Sequence, residues 1–122
     1  MRLIFVETAV FSRRIARLGL EGALDGLQRE LLRDPLAGAL DSGTGGCRKV
    51  RLGDPAHGRG KRGGARVHYL HIPRAAVIYL LFVYGKQEQS TLSPDQKRAL
   101  KSVVEAIVAE WDLKGSERGD RR

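Results

Sequence analysis

Seven cations crowd into the passage from Gly43 to Arg66: Arg48, Lys49, Arg51, Arg59, Lys61, Arg62 and Arg66. One anion, Asp54, and eight of the fifteen glycines share the stretch, so it carries +6 of the chain's net +8. Arginine grips a phosphate with two parallel donors, and lysine adds a compact point charge. Glycine lets a main chain approach a ligand closely. Cations on so permissive a backbone address a polyanion, and nucleic acid is the first reading. A solvated charged face is the bland alternative. A nucleotide P-loop is a poor one, because GTGG lacks the Gly-Lys-Ser/Thr ending and has no evident strand before it. A tight turn into a strand suits Gly45 and Gly46 better.

His57, His68 and His71 invite a metal or an acid–base role. Their spacing fits no standard zinc motif and few carboxylates lie near them, so no metal and no cofactor are expected. His68 shares strand parity with Arg66 and could approach a site there. The simpler reading is a strand histidine bonded to a neighbour. Cys47 stands alone, with no disulfide or cysteine metal site to join, and reads as a small buried apolar residue.

The elements that must position these groups follow from periodicity. Residues 3–6 form a short apolar run and a first strand. Val10, Phe11, Ile15 and Leu18, then Leu24, Leu27, Leu31 and Leu32, recur at helical spacing over 8–33. Gly19 and Gly22 mark the corner of a helix pair that Asp34-Pro35 ends. Strands are expected at 48–52, 66–72 and 75–84, the last apolar on both faces and central. Pro73 suits a tight hairpin between the last two. Ser93-Pro94-Asp95-Gln96 is a capping box opening a helix of about 20 residues, roughly 30 Å. Leu100, Val103, Val104, Ile107, Val108 and Trp111 line its apolar stripe. The expectation is an α+β domain over 1–113, ordered β-α-α-β-β-β-α, with a small, mostly antiparallel sheet. Residues 114–122 are expected as a disordered basic tail.

At 122 residues the chain suits one domain. Its longest apolar run is too short to span a bilayer, so no membrane partner is expected. MRLIFVETAVFSRR shows no signal-peptide pattern, and a cytoplasmic address is expected.

Four stretches resemble the RelE/HigB-like toxins of bacterial type II toxin–antitoxin systems, the HigB-type branch above all. They are FVETAVF, SGTGGCRKVR, GRGKRGGARVHYL and IYLLFVYGKQEQSTLSPDQ. The paired GTGG-x-RK-x-R and GKRGG-x-R motifs carry most of the specificity. Val67-His68-Tyr69-Leu70 departs from an expected aliphatic–aromatic run such as V-I-Y-Y. The resemblance implies a RelE-like fold and a ribosome-dependent mRNA endoribonuclease, an mRNA interferase. It would cut mRNA in the ribosomal A site without a metal and be silenced by a cognate antitoxin. DNA would be met only indirectly, through that antitoxin. An inactive RNA- or ribosome-binding module of the same ancestry is the alternative. A DNA-binding regulator is the weakest reading, since no helix-turn-helix is evident.

Metal-free cleavage of RNA has the 2′-hydroxyl attack the adjacent phosphate. It needs a base for the 2′ proton, cations for the phosphorane charge and an acid for the leaving 5′ oxygen. A lysine crowded by other cations loses its proton more readily, whereas arginine stays charged. The resemblance assigns the work to Lys49, Arg51, Arg66 and Lys86. Lys49 or Arg51 would help activate the 2′-hydroxyl, Arg66 would stabilise the phosphorane, and Lys86 would assist the leaving group, with the lysine roles exchangeable. Arg48, Arg59, Lys61 and Arg62 would grip ribosomal or messenger phosphates, and Tyr84 would stack on a base.

Overall fold

The computed structural model describes residues 2–55, 58, 60 and 64–120, of which 115–120 are described as backbone alone. Strand β1 (Ile4–Glu7) leads into helix α1 (Ala9–Arg17). Thr8 starts that helix. Its Oγ1 accepts from the Phe11 amide at 3.1 Å and donates to the Leu81 carbonyl at 3.0 Å, so the cap also fastens the helix to the sheet. Gly19, at φ +70°, turns the chain. A 3-10 turn (Glu21–Ala23) then opens helix α2 (Leu24–Arg33). The expected helix pair is present, and it ends at Asp34-Pro35.

Four more strands follow: β2 (Ala39–Leu40), β3 (Arg48–Leu52), β4 (Ala65–Ile72) and β5 (Val77–Gly85). The sheet order is β1-β5-β4-β3-β2. β1 pairs with β5 in parallel, and the remaining pairs are antiparallel. The domain is α+β as expected. β2 was not foreseen, because two residues are too few to show a period. β5 lies inside the sheet, between β1 and β4, while β4 is the middle strand. Pro73–Ala75 forms a 3-10 turn closed by Ala76 at φ +53°, which makes the β4–β5 link wider than a tight hairpin.

The sheet separates two apolar clusters. Val50, Leu52, Val67, Tyr69, Ile78, Leu80 and Val83 pack against Phe11, Ile15, Leu27 and Leu31 of the helix pair. Cys47, Leu70, Ile72, Leu81 and Tyr84 pack on the other side with Leu92, Leu100 and Val104. The register slips once: His68 pairs with Phe82 and Tyr69 with Leu80, which leaves Leu81 as a bulge.

The last helix, α3 (Pro94–Asp120), starts as its sequence requires. Ser93 Oγ accepts from the Gln96 amide at 3.1 Å, and Gln96 Oε1 accepts from the Ser93 amide at 2.9 Å. The helix runs to Asp120, longer than the expected 20 or so residues. Once nucleated, a helix gains a hydrogen bond per added residue at little cost. Lys114 supports the extension, pairing with Glu110 at 3.1 Å and lying over the Trp111 ring at 4.5 Å. The apolar stripe is wider than the surface it meets: Leu100 and Val104 are buried, whereas Val103 and Val108 remain exposed. Among the described residues no helix is long and apolar enough to cross a membrane.

Candidate functional site: a cationic face beside the last helix

Strand register assembles the site. Arg51 stands opposite Arg66, and Arg66 opposite Tyr84. In the next row of the same face, Lys49 stands opposite His68, and His68 opposite Phe82. Side chains alternate along a strand. Val50 and Leu52 point to the helix pair, so Lys49 and Arg51 point to the α3 side, as does Arg66. Arg51 is exposed, while Lys49 and Arg66 are half-buried. Three of the four expected catalytic residues therefore share one face in adjacent rows. The fourth, Lys86, is exposed just beyond the end of β5, and its amide donates to the Gly64 carbonyl at 3.1 Å. That bond sets it one pairing step beyond Ala65 and Gly85. Gly64 permits the close approach of β3 and β4 here, since an added Cβ would sit 1.9 Å from the Leu52 carbonyl oxygen.

Two other expectations need correction. Arg48 lies on the helix-pair side of β3 and donates from Nη1 to the Gly38 carbonyl at 2.8 Å. It is the neighbour of Lys49, and alternation sends it to the opposite face. Tyr84 does face the α3 side, but it is fully buried, its ring 5.9 Å from that of His68. The 86–93 segment and α3 cover it, so it is a core residue and offers no base-stacking surface. Arg59, Lys61, Arg62 and His57 lie outside the described residues.

Under this face the glycine turn is tied down by a group with no sequence motif to connect it there. Gly43, Gly45 and Gly46 all have positive φ, in keeping with a tight turn. The Asp41 amide donates to the Cys47 carbonyl at 2.9 Å, and Thr44 Oγ1 donates to the Asp41 carbonyl at 2.6 Å while accepting from the Cys47 amide at 3.1 Å. The Asp41 carboxylate then reaches His68 Nε2 at 2.8 Å and Lys97 Nζ at 3.6 Å. Burial opposes ionisation of Asp41, but the His68 hydrogen bond and the charges of Lys49 and Lys97 outweigh it and hold the carboxyl below its usual range. Burial likewise dominates at His68 and pushes its pKa down, against the pull of Asp41. His68 is thus a neutral ring donating from Nε2, bonded to a neighbour rather than poised for catalysis. Its Nδ1 is buried with no hydrogen-bond partner. His71 lies on the other face of β4. Burial and the nearby Arg48 lower its pKa. Cys47 is fully buried, and burial raises its thiol to about 11, which fits a packing residue and not a nucleophile.

α3 supplies two cations that motif reading passed over, Lys97 and Lys101. The Lys101 stem lies against the glycine turn, where a Cβ on Gly45 would sit 3.3 Å from its Cγ. Their signal was weak: both fall on a helix whose apolar stripe dominates the pattern. An open cleft between α2 and the end of β3, lined by Arg29, Arg33, Arg51 and Pro55 among others, abuts the cationic face at Arg51.

No family model matches the sequence. Among solved structures the chain is similar to a mutant of the E. coli toxin RelE in the free state, at 18% identity over 74% of this chain and 90% of that one, with a TM-score of 0.48.

Proposed function

We propose that this chain is a RelE/HigB-like toxin, a metal-independent endoribonuclease that cuts mRNA on the ribosome and is neutralised by a cognate antitoxin. One observation carries the reading: Lys49, Arg51 and Arg66 occupy adjacent register positions on a face that α3 leaves partly open. Like charges directly opposite on a sheet repel. Arg51 and Arg66 are such a pair, and a phosphate set between them turns that repulsion into charge-assisted hydrogen bonding. The quoted GTGG-x-RK-x-R and GKRGG-x-R motifs supply the same residues, which supports the family reading independently of the geometry.

In this mechanism Lys49 or Arg51 promotes loss of the 2′ proton, with lysine the group able to accept it. Arg66 stabilises charge as it builds on the phosphorane oxygens. Lys86 serves the leaving 5′ oxygen. The ribosome holds the RNA in line for attack, which lowers the barrier by fixing orientation. The antitoxin carries an acidic segment that complements the basic face.

Primer extension on a reporter mRNA in a cell-free translation reaction tests the reading, with ribosomes present or omitted. The expected outcome is in-frame cuts only with translating ribosomes, lost in the Arg66→Ala/Lys86→Ala double variant with far-UV CD intact. Wild-type cutting by that double variant overturns the residue assignment. A folded wild-type chain that binds ribosomes and never cuts overturns the enzyme reading.

A further inference from the structure

Lys86 sits where β5 gives way to a turn, and the turn is held from two sides. The residue just before β4 holds it, through the Gly64 carbonyl. The second hold comes from Glu88, which folds back so that its Oε1 accepts from the Gly85 amide at 2.8 Å. The Glu88 amide also donates to the Gly85 carbonyl at 3.0 Å. Arg14 of α1 then grips the carboxylate, with Nη2 2.9 Å from each oxygen. The same guanidinium donates from Nε to the Val83 carbonyl at 2.5 Å and lies over the Phe82 ring, 4.7 Å from its centroid.

One arginine thus contacts residues 82, 83 and 88, bracketing Lys86 in sequence. The Arg14 side chain is 16% exposed and that of Glu88 39%, so the pair sits at the surface. Exposed pairs contribute little to stability. A plain stabilising role accounts poorly for a fork, a backbone bond and a ring contact all converging on one turn. The Gly85 bond, with Arg14 behind it, also holds the Glu88 carboxyl below its usual range.

We propose that Glu88 and Arg14 are positioning residues that hold Lys86 at the end of the cationic face. This rests on the cleavage reading above, with Lys86 serving the leaving group. An acid must lie within hydrogen-bond reach of the oxygen it protonates, and a displacement of about 1 Å can lower the rate about 100-fold. Neither residue touches the RNA in this scheme; both act through the backbone that carries Lys86.

The test is steady-state, multiple-turnover cleavage of a reporter mRNA on translating ribosomes, with kcat and KM separated. Glu88→Gln keeps an acceptor for Gly85 but loses the charged fork. Its kcat is expected to fall about 100-fold with KM within a factor of about two. Arg14→Lys keeps the charge yet cannot donate to Val83 and fork onto Glu88 together, and its kcat is expected to fall alike. In a Lys86→Met background, read from the residual rate, Glu88→Gln is expected to add no further loss. An equal loss in that background overturns the proposal, as does a wild-type kcat in Glu88→Gln. Should Glu88→Gln misfold by far-UV CD, the kcat–KM split of Arg14→Lys decides. Full activity of Lys86→Met removes the residue being positioned and sinks this inference, while cleavage by Lys49, Arg51 and Arg66 stands. A wild-type chain that never cuts sinks both.

Discussion

His68 Nε2 lies 2.8 Å from Asp41 Oδ2, joining the middle strand to the residue before the glycine turn across 27 positions of sequence. The pair makes stability fall in acid in two stages. Folding lowers the pKa of His68 from its ordinary 6.5, so below that value the unfolded chain takes up the proton and the folded chain resists it. Asp41 is also depressed, from 3.8, so its contribution is complete above that value and disappears as pH falls through the folded pKa. Thermal unfolding is therefore expected to show a melting temperature that drops from pH 7 to 5 and drops again below 4. His68→Leu should reduce the upper stage to the part that His71 contributes, and should also shrink the lower stage, because the His68 hydrogen bond helps hold Asp41 down. An unchanged upper stage in that variant would assign it to another group.

Removing the acceptor tests the same contact differently. Asp41→Ala leaves the His68 N–H buried without its partner, at a cost of about 1–3 kcal/mol. Chemical denaturation should record that loss, whereas Asp41→Asn, which keeps an oxygen for His68, should lose less. Equal losses in the two variants would show that the hydrogen bond to the ring is not what matters.

Tyr84 separates a buried ring from a base-stacking one. Its hydroxyl donates to the Ser90 carbonyl at only 3.4 Å, a weak bond. Tyr84→Phe is expected to change stability by less than about 1 kcal/mol and leave ribosome affinity unaltered, while Tyr84→Ala costs about 3–5 kcal/mol. Equilibrium unfolding and ribosome pelleting measure the two. A stable Tyr84→Ala variant with selectively weakened RNA binding would restore the stacking role.

Arg66 should not be replaceable by lysine. A fork of donors suits a phosphorane better than a point charge. Arg66→Lys is expected to lower kcat about 100- to 1,000-fold, the range for losing one preorganised donor. Far-UV CD should stay unchanged. Activity within tenfold of wild type would mean that charge alone suffices there.

Gly64 is expected to tolerate nothing larger. A methyl group there meets the Leu52 carbonyl, which forces β3 away from β4. Gly64→Ala should cost about 3 kcal/mol, at the upper end for single substitutions, and should lower cleavage by separating Arg51 from Arg66. A variant as stable as wild type would show that the hairpin has room to shift.

The parts legible in the sequence were those fixed by local rules. Ser93 and Gln96 cap a helix through bonds three residues apart, and Lys49 and Arg51 share a face because strands alternate. The same alternation excludes Arg48 from that face, a step the charge count obscured. Distance in sequence hid the rest. Nothing in the spacing of Asp41 and His68, or of Arg14 and Glu88, indicates a contact, because each depends on how the strands are ordered. Tyr84 had the right parity, yet parity does not tell whether a later helix covers the residue.

The parallel pairing of β1 with β5 joins the first few residues to positions 77–80. During synthesis the N-terminal strand must wait for most of the chain before it meets its partner. Lys86 and the α3 cover come later still. Contacts this remote also slow folding in general, because loop closure precedes their reward. The face that carries Lys49, Arg51 and Arg66 therefore rests on strand pairings that reach from residue 4 to residue 85, and no early stretch of the chain builds it alone.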